Sequence, residues 1–237
     1  EKDSHHQLSF SIDKFFGIPV MSNLALAYSA HKRKRYNSPS HDEPEEYEES
    51  RWGGNFKLGG TPTRWGLLAF TARWEEHRYI YFSAENQYNL TGIGIELGVD
   101  TQDRYPYPTE GLRFDANFET ARTNLDGQPS FNRFWSSFEG HVSLSERYTL
   151  GFKTEGNFAD RTAPPDERFK LGGIYDFTGL QLDEKIGIIQ MAAELDLRFD
   201  LLSRMLSDAY IGVHGNIGGS WNDPEARYKR EDLLISF

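Results

Sequence analysis

Glu110-Gly111-Leu112-Arg113-Phe114-Asp115-Ala116-Asn117-Phe118-Glu119-Thr120 sets Leu112, Phe114, Ala116 and Phe118 against Arg113, Asp115, Asn117 and Glu119. A period of two with one apolar and one charged face marks a β-strand between two different environments. Residues 191–199 repeat it, with Met191, Ala193, Leu195, Leu197 and Phe199 against Ala192, Glu194, Asp196 and Arg198. Working outward, alternating runs occur at 8–13, 23–28, 52–58, 66–74, 78–86, 92–99, 134–144, 148–155 and 210–217, and Leu233, Ile235 and Phe237 close the chain. About twelve strands result, and no amphipathic helix interrupts them.

Composition narrows the environment of that sheet. The chain has 237 residues and 27.3 kDa, enough for an all-β domain. Mean hydropathy is -0.65, yet 17 Phe, 12 Tyr and 5 Trp are more rings than a disordered chain carries. No stretch approaches the ~20 apolar residues of a membrane helix, whereas a membrane barrel needs only ~9–11 residues per strand with every second one apolar. Net charge of -10 and a pI near 5.2 argue against nucleic acid as partner. Without cysteine there is no disulfide scaffold, thiolate zinc site or Cys nucleophile. Glu1-Lys2-Asp3-Ser4-His5-His6 is too polar for a signal peptide, so an intracellular or a processed chain is expected.

The connections alternate in character. Those at 75–78 and 145–147 are short, whereas 121–132, 160–182 and 218–232 are long and rich in Gly, Pro, Asn and Asp. Short turns at one end and long loops at the other are the pattern of an outer-membrane barrel. By this count 32–50 falls on the short-turn side, although Lys32-Arg33-Lys34-Arg35 there meets the acidic Asp42-Glu43-Pro44-Glu45-Glu46-Tyr47-Glu48-Glu49. That charge run reads as internal pairing, or as a contact for lipopolysaccharide phosphates or divalent cations. A soluble barrel also alternates, but turns its apolar face inward. The membrane reading rests on mixed charges along the polar faces, on aromatics near strand ends (Trp65, Trp74, Tyr79, Tyr81, Tyr88, Trp135, Tyr148, Phe199), and on Leu233-Leu234-Ile235-Ser236-Phe237. An alternating last strand ending on Phe237 looks like the assembly signal of outer-membrane barrels.

Two motifs carry a family resemblance. Asp103-Arg104-Tyr105-Pro106-Tyr107-Pro108-Thr109-Glu110-Gly111 resembles the Asp…Pro-Thr-x-Gly turn of the bacterial surface antigen barrels, the superfamily of outer-membrane protein-assembly and two-partner-secretion translocators. Arg168-Phe169-Lys170-Leu171-Gly172-Gly173-Ile174-Tyr175-Asp176-Phe177-Thr178-Gly179-Leu180 resembles that superfamily's Leu-Gly-Gly…Arg-Gly-Phe loop. Glu194-Leu195-Asp196-Leu197-Arg198 is similar to its Glu-x-Arg strand, and Gly215-Asn216-Ile217…Trp221 to its Gly-Asn-Val-Trp strand end. The likeness covers roughly 92–221. Singly, Pro108, Gly111 and Gly172-Gly173 also read as ordinary turn residues; order, spacing and strand context together favour the family.

The resemblance implies an antiparallel transmembrane β-barrel with a lumen-inserted loop; the alternating segments make the fold all-β with about twelve strands, fewer than the family's barrels have. The resemblance also implies the outer membrane of a Gram-negative bacterium; a single barrel domain over 1–237 is expected, and the expected lack of a POTRA domain departs from the family, with no catalytic domain expected in this chain either. Gly172, Gly173, Thr178 and Gly179 belong to the loop; Asp103, Pro108 and Gly111 form a periplasmic turn; Arg113, Glu194 and Arg198 face the lumen; Phe237 is the assembly signal. The role implied is protein insertion or transport, with lipid bilayer, lipopolysaccharide and a client or passenger protein as partners. No cofactor, metal or catalytic residue is expected.

Two departures shape the alternatives. Thr178 stands where the family carries its loop Arg, and Val213 about where the partner acid lies. Losing both is coherent, since a buried charge without its partner is expensive. Without Arg the loop looks most like the barrels behind patatin-like phospholipases, so a lipolytic protein's membrane part is one alternative. A passive or structural pore, single or self-associated as a homo-oligomer, is another. The chain has no Gly-x-Ser-x-Gly, phosphate loop or His-Glu-x-x-His. His141 and His214, on polar faces near Glu139, read as solvated lumen histidines.

Overall fold

A computed structural model describes residues 4–12, 20–35, 45–81, 84–124, 130–173, 177–201, 210–222 and 234–236. The strands are β1 (Ser4–Ile12), β2 (Val20–Arg35), β3 (Glu45–Thr63), β4 (Gly66–Tyr81), β5 (Ala84–Asp100), β6 (Gly111–Thr123), β7 (Ser130–Ser143), β8 (Tyr148–Ala159), β9 (Phe169–Leu171), β10 (Lys185–Gly187), β11 (Ile189–Asp200), β12 (Tyr210–Trp221) and β13 (Leu234–Ser236). Eleven of them form one sheet in the order β1 to β8, then β11, β12 and β13, while β9 and β10 pair separately. A 3-10 turn at Pro165–Glu167 sits between β8 and β9. No helix among the described residues is long and apolar enough to cross a membrane, which says nothing of strands.

One expected turn does not exist. Residues 75–78 lie inside β4, which pairs with β3 without a break from Leu68↔Gly60 to Ile80↔Glu48. The run lacks the Gly, Pro, Asn or Asp a tight turn favours, and it keeps the strand's alternation. Arg73, Glu75 and His77 share the polar face, opposite Phe70 and Trp74. Accordingly 78–86 is no separate strand; it holds the end of β4 and the start of β5. Removing that false reversal moves 32–50 to the same end as 121–132, 160–182 and 218–232, so the irregularity disappears. Most of 32–50 is itself strand, with Lys32↔Glu48, Lys34↔Glu46 and Arg35↔Glu45 in register.

The apolar face is the exposed one. Leu8 is 73% exposed, Phe70 60% and Val213 72%, with Leu24, Phe56, Ile93, Leu195 and Ile211 on the same side of their strands. A water-soluble sheet buries this face, and an apolar surface so extensive marks contact with protein or hydrocarbon. Glu76, the outward residue after Trp74, accepts a 2.6 Å hydrogen bond from the Trp52 indole Nε1, which shields its charge.

The chain divides into two compact units, Glu1–Leu97 with Asn117–Phe134 and Ala159–Arg168, and Gly98–Ala116 with Trp135–Phe158 and Phe169–Phe237. In the first, Tyr88, Leu90, Ala121, Phe131 and Ala163 form a core, with Tyr79 and Ala159 against it. Tyr88 is therefore not part of an interfacial girdle: it is 1% exposed, because its ring packs beneath residues 160–168. In the second, Leu171, Phe177 and Ile188 of the loop region are buried.

Candidate functional site

The first unit carries a charged cluster built on alternate residues of neighbouring strands. Arg51 of β3, Arg73, Glu75 and His77 of β4, Tyr88 of β5, Glu119 of β6 and Arg133 of β7 converge on Asp166 and Glu167. Glu167 Oε2 accepts from Arg73 Nη2 at 2.6 Å and Arg133 Nη1 at 3.0 Å, and its Oε1 from Arg51 Nη1 at 3.2 Å. Asp166 Oδ2 accepts from the Tyr88 hydroxyl at 2.7 Å and faces His77 Nδ1 at 2.8 Å. The other ring nitrogen of His77 lies 2.8 Å from Glu75 Oε2. A neutral imidazole donates through one nitrogen only, so the protonated ring is the form that satisfies both carboxylates. Burial alone would raise both the Asp166 and the Glu167 carboxyl. The His77 hydrogen bond and Arg51 nevertheless hold Asp166 below the usual range, and Arg73, Arg51 and Arg133 hold Glu167 well below it.

Oxygens of Glu75 and Glu167 and a nitrogen of His77 lie within 4.8 Å of one another, close enough to surround a metal ion. The same Glu75 Oε2 takes Arg73 Nη1 at 3.0 Å, and the same Glu167 Oε1 takes Arg51 Nη1 at 3.2 Å. Guanidinium groups already occupy the lone pairs a cation would need, which makes this an ion-pair network. Sequence reasoning missed it. The available signal was Arg73-x-Glu75-x-His77 on one strand face, with Asp166-Glu167 just before the loop motif; reading 75–78 as a turn concealed it.

The second unit brings the two motifs together. In the turn, Asp103 Oδ1 accepts the Thr109 and Glu110 backbone N–H groups at 2.8 and 3.1 Å, and Oδ2 accepts the Thr109 hydroxyl at 2.7 Å. Against its slight burial, those bonds bring the Asp103 carboxyl down to about 2. Gly111 has φ +104°, and a Cβ there would lie 2.4 Å from the Thr101 carbonyl oxygen, so only glycine starts β6 this way. The Pro108 carbonyl accepts from Arg198 Nη2 at 2.6 Å, tying the turn to β11.

The loop's glycines have equally definite roles. Gly172, Gly173 and Gly179 have φ of +133°, +107° and +92°. A Cβ on Gly172 would lie 2.1 Å from the Gln181 carbonyl oxygen. Gly173 N–H donates to Leu180 O at 3.2 Å and Phe177 N–H to Gly173 O at 3.0 Å, closing the tip. Thr178 Oγ1 then meets His214 Nε2 of β12 at 2.7 Å. Val213 does not face the loop. It points to the apolar side, since neighbouring strand residues alternate, and His214 takes the position opposite Thr178.

Around that contact lies a cavity of about 520 Å³ whose lining includes Glu139, His141, Thr178, Glu194, Asp196, Arg198 and His214. His141 Nε2 sits 3.5 Å from Glu139, and Arg198 Nε 3.1 Å from Asp196. Arg113 pairs with Asp115 on β6 at 2.7 Å and does not line the cavity. Phe237 lies outside the described residues. The cavity holds charges of both signs, partly paired and open to solvent, and suits water-filled polar contacts.

An antiparallel sheet with its apolar face exposed and a glycine-built loop on its polar face defines the outer-membrane barrel class. The profile described as the Omp85 superfamily domain matches residues 1–232, and the chain belongs to that superfamily. Among solved structures it is similar to BamA from Haemophilus ducreyi lacking POTRA domains 1-3, at 14% identity and a TM-score of 0.71, over 93% of this chain and 50% of that one. It is also similar to CdiB from Acinetobacter baumannii, at 11% identity and 0.64, over 98% of this chain and 42% of that one. The chain thus spans half or less of the length of these proteins, and the likeness concerns the fold. No curated protein matches.

Proposed function

We propose that this chain is the barrel of an outer-membrane protein of a Gram-negative bacterium that inserts proteins into, or passes them across, that membrane. The observation that carries the reading is the loop at Gly172–Gly179, seated through Thr178 on the polar side of β12 in a chain of this superfamily. Gly172, Gly173 and Gly179 give the loop its geometry, Asp103, Pro108 and Gly111 set the turn before β6, and Arg113, Glu194 and Arg198 keep the lumen polar. Phe237 serves assembly. The bilayer and lipopolysaccharide surround the apolar face, and a client strand pairs with the edge strand β1, since unpaired backbone groups at a sheet edge accept an added strand.

The test is reconstitution of the native protein into lipid vesicles with an unfolded small barrel protein as client. Heat-modifiable migration of the client should appear faster than in protein-free vesicles; equal rates would remove the proposal. Thr178 in place of the loop Arg favours a second reading, the membrane part of a patatin-like phospholipase. Intact mass and phospholipase activity of the protein from its own membrane separate the two: a much larger mass with lipolysis supports the second. A passive pore, self-associated or not, would instead conduct steadily in a planar bilayer.

A further inference from the structure

Residues 101–110 join β5 to β6, neighbouring strands about 4.8 Å apart, so reversing the chain asks no more of them than that span. They reach much further, across the polar side of the second unit. Gln102 Nε2 donates to Glu139 Oε1 of β7 at 3.2 Å, and the Thr109 carbonyl accepts from Ser143 Oγ of β7 at 3.4 Å. Beyond β8, the Pro108 carbonyl takes Arg198 Nη2 of β11 at 2.6 Å, and the Tyr107 ring meets Tyr210 of β12 edge-on with centroids 4.7 Å apart. β12 is four places from β6 in the sheet. Val142, Leu197 and Ile211, next to these partners along their strands, point to the apolar side, so the turn folds onto the polar one.

The far contacts make a latch. Arg198 is 8% exposed, and its guanidinium meets the Pro108 carbonyl, Asp196 and, 5.9 Å from its centroid, the Tyr210 ring. Pro108 itself is buried. Asp103 ties Thr109 and Glu110 to the start of the turn, so the residues between move as one piece. Pro106, Tyr107 and Pro108, with Tyr210, thereby wall the cavity of about 520 Å³ towards one end of the strands. The inserted loop, which joins β8 to β11, comes from the other end and lines the same cavity through Thr178.

We propose that the turn at 101–110 is a plug: latched through Arg198 and Tyr210 it closes the polar cavity at its own end of the strands, and released it opens that end to dissolved ions and small polar solutes. Arg198 is the positioning residue of the plug, because a buried guanidinium deprived of the Pro108 carbonyl is costly. The inference rests on contacts within this unit and stands whether or not the barrel acts on client proteins.

The chain has no cysteine, so Glu194→Cys places a single thiol on the cavity wall. The full chain carrying it is folded into lipid nanodiscs, where both ends of the strands meet solvent, and its reaction with a small cationic methanethiosulfonate is timed by mass spectrometry. Tyr107→Ala and Arg198→Met should each speed labelling by about tenfold or more while heat-modifiable migration is kept. Combined, they should exceed the quicker single variant by less than about twofold, since both release one latch. Arg198→Lys, which keeps a charged donor for the Pro108 carbonyl, should fall between Arg198→Met and the parent. Glu110→Ala, an exposed change in the same turn, should alter the rate by less than about twofold. Parent-rate labelling of Tyr107→Ala or Arg198→Met, rates that multiply in the combined variant, or equal acceleration by Glu110→Ala would overturn the plug. If Arg198→Met does not assemble, Tyr107→Ala decides alone: a rise supports the plug and an unchanged rate overturns it.

Discussion

The cluster around Asp166 and Glu167 and the loop-tip cavity are both collections of charges on the polar side of the sheet, yet they are opposite in kind. In the first, Asp166 and Glu167 are almost wholly buried and every carboxylate oxygen of Glu167 meets a guanidinium. In the second, Glu139, Glu194, Asp196 and His214 line about 520 Å³ of open space. Desolvation makes the difference. A carboxylate out of water is costly unless it is paired; Glu167 has a guanidinium on each oxygen, whereas Asp166 Oδ1 lies buried without a hydrogen-bond partner, so the cluster is costly to disturb. A wetted carboxylate needs no fixed partner, so the cavity tolerates half-made pairs. Charge density along a strand face therefore does not say which role a residue has; what covers it does.

The largest effect expected from breaking this contrast is at the cluster. Arg73→Met leaves Glu167 and Glu119 short of their closest donor and should cost about 3–5 kcal/mol, read as a lower urea midpoint in lipid vesicles. A loss under 1 kcal/mol would mean water reaches the cluster after all. Next comes the loop's backbone: Gly172→Val with Gly173→Val puts two β-branched residues at positive φ, at about 1–2 kcal/mol each before the clash with Gln181 O. Thermal stability and yield in the membrane should both fall, and unchanged values would remove these glycines from the loop's support.

Acid should separate the regions further. Asp166 and Glu167 have folded values below their unfolded ones, so their contribution is complete above about pH 5 and is lost as pH falls below about 4 through the lower folded values. Unfolding free energy should be flat from pH 7 to 5 and drop below 4, with Glu167→Gln flattening the drop. Asp103, depressed to about 2, adds to the same loss between about pH 4 and 2, but its exposure to solvent holds its share below about 1 kcal/mol. Asp103→Asn compared at pH 5 and 2.5 measures that share. The smallest effect belongs to the cavity: His214→Ala should cost less than about 1 kcal/mol, since water replaces the ring as partner to Thr178. A larger loss would show that the tip is held as firmly as the buried cluster.

Much of the sheet was legible in residue order alone. Alternation such as Leu112, Phe114 and Phe118 against Arg113, Asp115 and Glu119 identifies a strand and its two faces, because side chains on a strand must alternate. Gly111, Gly172, Gly173 and Gly179 could be singled out because turns needing positive φ select glycine, and the structure places all four at positive φ. Other features depended on long-range partners. Glu75 and His77 look like turn residues until Asp166 is brought beside them from 89 residues beyond His77. Tyr88 looks interfacial until Ala163 packs in the same core. That Val213 points to the apolar side and His214 to the polar side follows from alternation along β12, but that Thr178 meets His214 depends on where the loop folds back. Alternation is a local consequence of the backbone, so the sequence by itself determined strands, faces and glycine-dependent turns. Burial and charge pairing depend on which distant segment covers a face, and only the tertiary structure decided them.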